Sequence, residues 1–325
     1  MAASILCRGY KNRAIGVFFN PDFILALTPN LRGALFMSVS MAGFTINDTF
    51  VKAASASMNV GQIMFIRGLM ATIMIAALSW YLGALRPLSF LKKPGVLARS
   101  IGELLATITF LLALAHMPIG NTSAIMQALP LAVTLGAALF LGEKVGWRRW
   151  SAIMTGFLGV LIIVRPGMAG FTQYSLLVLA CVFFAAFRDL STRRAPDDVP
   201  SLFMTLVTAA IITCAGLLLT GPLGGWRPVD GKALALLFSA ACFIIFGYLF
   251  VIRAMREGDI SFIAPFRYTS LIWAIALGYI VFGDIPDTFV LAGSALVISS
   301  GVYSFYRERV RSQRIASQAI LEPGG

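Results

Sequence analysis

Two opposite charges stand four residues apart in the stretch "TINDTFVK", Asp48 and Lys52, at the end of a run that is otherwise almost wholly apolar. Few other charges lie so deep in apolar sequence. Arg67, Glu103, the adjacent pair Arg188 and Asp189, and Arg267 are the rest. Carboxylates and guanidiniums in apolar surroundings can pair into gates, bind a charged ligand or carry a proton. Each is costly there, which makes each a functional candidate. Polar or aromatic company comes from Asn47, Gln127, Tyr268 and Trp273. Side chains of these types around one space suit a ligand with a flat ring and hydrogen-bonding edges. Interhelical hydrogen bonding and packing would use them as well.

No reaction centre is written in the chain. The GxSxG, HExxH and Walker patterns are all missing. A single histidine, His116, cannot build a multi-histidine metal site and reads as an interfacial polar residue. The four cysteines, Cys7, Cys181, Cys214 and Cys242, form no CxxC pair. Neither a disulfide framework nor a zinc site is expected. No enzyme activity, metal or cofactor follows, and energy would come from a gradient or from exchange.

Apolar residues make up 58% of the 325 and charged residues only 12%, far from the balance of a soluble domain. About 20 apolar residues cross the bilayer core as a helix. Ten segments qualify: 33–52, 61–82, 97–116, 121–141, 150–165, 174–192, 201–220, 233–252, 261–282 and 288–306. Lipid satisfies no backbone groups, so these are helices. The expected fold is an all-α integral membrane protein with ten transmembrane helices. Residues 1–30 read as a basic tail and 309–325 as a second tail.

Placing both termini in the cytoplasm puts nineteen of the 26 Lys and Arg residues on that side, four outside and three within spans. This bias fixes the expected orientation. It also assigns the +12 net charge to topology rather than to nucleic acid.

A shift of 141 residues lays "FLGEK" on "VFGDI". It also places Ala113 on Ala254, Asp48 on Asp189 and Lys52 on Arg193. Each half, 31–166 and 171–308, holds five spans. Five is odd, so the second half enters upside down, the arrangement of many secondary transporters. Depth follows from the 1.5 Å helical rise. Asp48 lies about 6 Å, and Arg67 about 9 Å, from the outer face. Asp189 sits about a turn from the inner face, and Arg267 about 9 Å in.

Asp48 with Arg67, and Asp189 with Arg267 and Arg188, are therefore the expected outer and inner gates. The alternative for Lys52 and Arg193 is snorkelling to headgroups beside local i,i+4 aspartate partners. Glu103 is expected either to pair with Arg99 or to carry a proton. Small residues at Ala124, Ala128, Ala132 and Gly136, at Ser151, Thr155 and Gly159, and at Ser270, Ala274 and Gly278 read as packing stripes. Pro130 and Pro265 read as kinks.

The stretches "ALAHMPIGNTSAIMQALPLAVTLGAALFLGEKVGWRRWSAIMTGFLGVLIIVRPG" and "RAMREGDISFIAPFRYTSLIWAIALGYIVFGDIPDTFVLAGSALVISSGVYSFYRER" resemble the end of an EamA domain. The likeness rests on Pro130–Leu131, Gly142–Glu143 and "GFLGVLIIVRPG". The second copy departs from it with Leu271 and Asp284. The resemblance is to the EamA family of the drug/metabolite transporter superfamily, in two copies over about 31–308. It implies a transporter with a central cavity supported by helices 5 and 10. The expected partners are a small-molecule substrate, the lipid bilayer, protons as coupling ion and a second copy in a homodimer. The expected place is the cell inner membrane. By the same resemblance, the substrate expectation is import of riboflavin or S-adenosylmethionine. Export of amino acids or amines, or a non-transporting scaffold, stand as alternatives.

Overall fold

The computed structural model describes residues 28–93, 95–143, 146–168, 171–192, 199–257 and 259–321. The expected tail before residue 28 and Arg193 lie outside them. Ten helices are long and apolar enough to cross a membrane. They are α1 (Pro29–Ala54), α2 (Val60–Tyr81), α3 (Val96–His116), α4 (Ile119–Phe140), α5 (Trp147–Val164), α6 (Gln173–Thr192), α7 (Ser201–Thr220), α8 (Gly231–Glu257), α9 (residues 260–282) and α10 (Thr288–Leu321). Among the described residues there is no strand. We call the side where α1 begins the near side and the side where it ends the far side.

The ends of the spans obey local rules. Thr28 caps α1 from in front of Pro29, and the Asn59 side-chain Oδ1 accepts the Gln62 N–H at 2.8 Å to start α2. The α4 and α9 ends explain the paired Gly–acid motifs. Gly142 and Gly283 are left-handed, with φ 68° and 71°. The next N–H turns back in each case, Glu143 to the Ala137 carbonyl at 3.2 Å and Asp284 to the Gly278 carbonyl at 3.0 Å. The same backbone hydrogen bond thus recurs 141 residues later.

α4 and α9 are both interrupted. α4 divides into Ile119–Met126 and Leu129–Phe140, just ahead of Pro130. In α9, Pro265 lies in the 3-10 stretch Ala264–Tyr268, and the helix resumes at Thr269–Leu277. Proline removes an N–H and crowds the preceding turn. Gln127 and Tyr268 fall at these two interruptions.

Helices pack as α1 with α8, α3 with α6, α2 with α7 and α5 with α10, while α4 lies on α6 and α9 on α1. Small residues set the distances. A Cβ on Gly159 of α5 would stand 2.7 Å from the Gly293 carbonyl of α10, and the reverse distance is 2.6 Å. These backbones touch. The contact face of α5 is Ala152, Gly156 and Gly159, all buried, whereas Ser151 and Thr155 are exposed. The stripe read from sequence was therefore rotated by about one residue, because buried hydroxyls were given the place that alanine and glycine fill. On α4, Ala124 and Ala128 are buried and Gly136 abuts Leu190 of α6, as the stripe requires.

Candidate functional site

The charged residues gather on α1, α2, α3 and α6. Gly102 explains one junction. A Cβ there would meet the Arg188 backbone N at 3.1 Å, so α3 and α6 run close and set Glu103 beside Arg188. Arg188 Nη1 donates to Glu103 Oε2 at 2.7 Å, and Arg188 Nε donates to Asp189 Oδ1 at 2.7 Å. One guanidinium thus bridges two carboxylates, using the fork that lysine lacks. Arg99, the expected partner of Glu103, instead donates to Thr208 Oγ1 of α7 at 3.0 Å. It sits one turn below Glu103, but α7 offers it a hydroxyl while α6 offers Glu103 a cation.

Towards the far side, Arg67 Nη1 donates to Asn47 Oδ1 at 3.1 Å, and Asn47 Nδ2 donates to Asp48 Oδ1 at 2.9 Å. Asp48 and Arg67 are electrostatic partners joined through the amide rather than directly. Asn47 and Arg67 are buried, 3% and 9% exposed. Asp48 lies six residues before the helix end at Ala54, about 9 Å deep, and Arg67 seven residues after the start of α2 at Val60, at about the same depth.

Lys52 does not reach back to Asp48. Its Nζ donates to the Met117 carbonyl at the end of α3 and lies 5.2 Å from the centre of the Phe282 ring of α9. Asp284 is its acidic partner in charge. The lysine therefore ties three helix ends together, because α3 and α9 finish beside α1. Arg165 ends α5 at φ 51° and reaches Asp287 and the Phe289 ring at the start of α10.

Of the inner cluster expected around Asp189, Arg188 pairs with it here and Arg267 does not. Among the described residues no carboxylate lies within ion-pair distance of Arg267, and Asp189 is taken by Arg188. Arg267 is exposed, although its strongest charged neighbours, Asp189 and Arg188, are on α6 inside the bundle. Tyr268 is buried and its hydroxyl lies on Gly301 of α10. Gln127 Nε2 donates to Ser270 Oγ at 2.9 Å, joining the broken helices α4 and α9. Trp273 is 40% exposed and lies away from the buried Leu271 and Ala274, so it does not share the face of Tyr268. His116 stacks on Tyr174 of α6 at 4.2 Å.

Sequence reading missed Tyr248 of α8. Its phenol lies within electrostatic reach of Glu103, Arg188, Arg99 and Arg67. A lone phenol in the run "FGYLFVIR" was the available signal. Among the described residues no three His, Cys, Asp or Glu side chains could hold a metal ion together.

A sequence model of the EamA-like transporter family matches residues 31–165 and again 172–306. The chain belongs to the EamA-like transporter family. Known relatives from this family carry several cargoes. A riboflavin transporter of Vibrio cholerae is 29% identical over 289 residues, covering 87% of this chain and 96% of that protein. The pseudopaline exporter CntI of Pseudomonas aeruginosa is 26% identical over 276 residues, covering 82% and 93%. An S-adenosylmethionine uptake transporter of Rickettsia prowazekii is 25% identical over 291 residues, covering 87% and 96%. A solved crystal structure shares the fold with a TM-score of 0.56 at 17% identity, over 85% of this chain and 97% of its own. This family member is thus a multi-pass membrane protein whose relatives are named as transporters.

Proposed function

We propose that this protein is a secondary transporter that moves a small polar or amphipathic metabolite across the inner membrane by alternating access. The observation that carries the reading is the run of charges inside the bundle: Asp48, Asn47 and Arg67, then Glu103, Arg188 and Asp189. Such groups are expensive in a membrane and are retained where they work. They stand beside two interrupted helices, α4 and α9. Helix pairs α1–α8 and α3–α6 exchange under a shift of five helices, and this supports two inverted repeats as the moving units.

On the far side Asn47 and Arg67 are buried and Asp48 is half-buried, while Glu103, Arg188 and Asp189 keep 18%, 22% and 32% of their side-chain surface. We read the conformation as closed on the far side and accessible from the near side. The near side is the cytoplasm in our reading, with both termini there.

Riboflavin or S-adenosylmethionine import is the substrate we propose, on the likeness to two relatives. Export is the second reading, favoured by the likeness to the pseudopaline exporter. Purified protein in proteoliposomes decides between them. Uptake of labelled riboflavin or S-adenosylmethionine above empty vesicles supports the first reading. No flux of either, with flux of amino acids or amines, supports the second. No flux of any solute leaves a scaffold. Protons are the coupling ion we propose, carried by Glu103, whose protonation would release Arg188. Flux should then follow an imposed pH gradient in the wild type and lose that dependence in Glu103→Gln; retained dependence removes Glu103 from coupling.

A further inference from the structure

We propose that Arg267 is an anion-binding residue on the near side of the bundle, receiving the carboxylate or phosphate of a solute that carries one, as S-adenosylmethionine does and riboflavin does not. This rests on the transporter reading above. Three arginines lie inside spans. Arg188 donates to two carboxylates and Arg67 to Asn47. Among the described residues the Arg267 side chain donates to nothing, and its carboxylate neighbour Asp189 is already held by Arg188.

Its direction is fixed by its neighbours. Arg267, Leu271, Ala274 and Gly278 recur at three- and four-residue spacing, and the last three are buried against other helices. A helix presents such residues on one face. The side chain is exposed, and its charged neighbours are Asp189 and Arg188 of α6, both in the bundle. The 3-10 turn around Pro265 holds it there, at the point where α9 changes course. An unpaired guanidinium at this depth is costly without a partner. Its planar fork matches carboxylate and phosphate oxygens two at a time. Asp189, its neighbour on α6, is tied to Arg188 and leaves the fork free for a group brought in from solution.

The test reads Arg267 directly. Protein in phosphatidylcholine nanodiscs is treated with phenylglyoxal, which modifies accessible guanidiniums, in sodium chloride, sodium acetate or sodium phosphate at equal ionic strength. Peptide mass spectrometry quantifies each adduct. Arg267 should be labelled in chloride and protected several-fold by acetate or phosphate, while exposed Arg86 labels alike in all three. No labelling, or equal labelling in the three salts, overturns the proposal. Nanodiscs containing phosphatidylglycerol separate the sources. Protection that appears only there, and does not respond to soluble anions, assigns the site to a lipid headgroup and overturns the solute reading.

Flux adds a second readout. In Arg267→Gln, half-saturation should rise about tenfold, equivalent to about 1.4 kcal/mol, for S-adenosylmethionine or flavin mononucleotide. Their uncharged counterparts, methylthioadenosine and riboflavin, should be unaffected. Equal effects on both members of a pair overturn it. Absence of all flux in the wild type would sink the transporter reading while leaving the labelling result standing.

Discussion

Asn47 carries the far-side charge pair on a single amide, accepting from Arg67 and donating to Asp48. An amide can turn end for end and serve the reverse arrangement. The double variant Asp48→Arg with Arg67→Asp should therefore recover flux that each single change abolishes. A double variant no better than the singles would remove the pair from the mechanism. Asn47→Ala, by contrast, removes both bonds and should cost about 1.5–3 kcal/mol, the range for hydrogen bonds to charged groups, read as a fall in melting temperature. At the far rim, burial works against the Asp287 carboxylate, but the Val290 N–H and Arg165 outweigh it and hold the carboxyl below the usual range. A group depressed on folding stabilises above its unfolded pKa and loses that contribution as pH falls through its folded value. Thermal stability should therefore decline on acidification below the carboxylate range, and Asp287→Asn should flatten the decline. The effect is small because the pair is exposed and screened. Partner choice was the part of the site that sequence could not give. Sequence grouped Asp189 with both Arg267 and Arg188, and left Glu103 to pair with Arg99 or carry a proton. Gly102 brings α3 onto α6 and hands Arg188 to both carboxylates, and that approach depends on helix crossing, which no spacing in one chain encodes.

Among the elements, span positions were legible because length and apolarity set them: the expected 61–82, 174–192 and 288–306 became Val60–Tyr81, Gln173–Thr192 and the first part of Thr288–Leu321. The interruptions were legible too, since Pro130 and Pro265 act through local geometry. The contact face of α5 was not, because Ser151, Thr155 and Gly159 repeat as regularly as Ala152, Gly156 and Gly159, and only α10 decides between them. Gly159 supplies the discriminating test. Gly159→Leu should force α5 off the Gly293 carbonyl, and overpacking typically costs about 1–3 kcal/mol. Thr155→Leu, on the exposed face, should leave the melting temperature nearly unchanged. The reverse ranking would restore the stripe first read from sequence.

At the scale of the whole molecule, ten apolar helices pack in pairs that repeat under a shift of five helices. Orientation remains a matter of charge. A green fluorescent protein fused after residue 325 should fluoresce in cells, and alkaline phosphatase fused in the α7–α8 connection should be active. Both outcomes reversed would turn the protein over. The hydrogen bond from Gln127 to Ser270 then has a mechanical consequence. Both broken helices are fastened at their bends, so neither flexes alone: motion of one tugs the other through a single latch. Hydrogen bonds between membrane helices average about 0.6 kcal/mol, close to thermal energy. The latch therefore synchronises the two bends without locking them, and it opens often enough for the bundle to cycle.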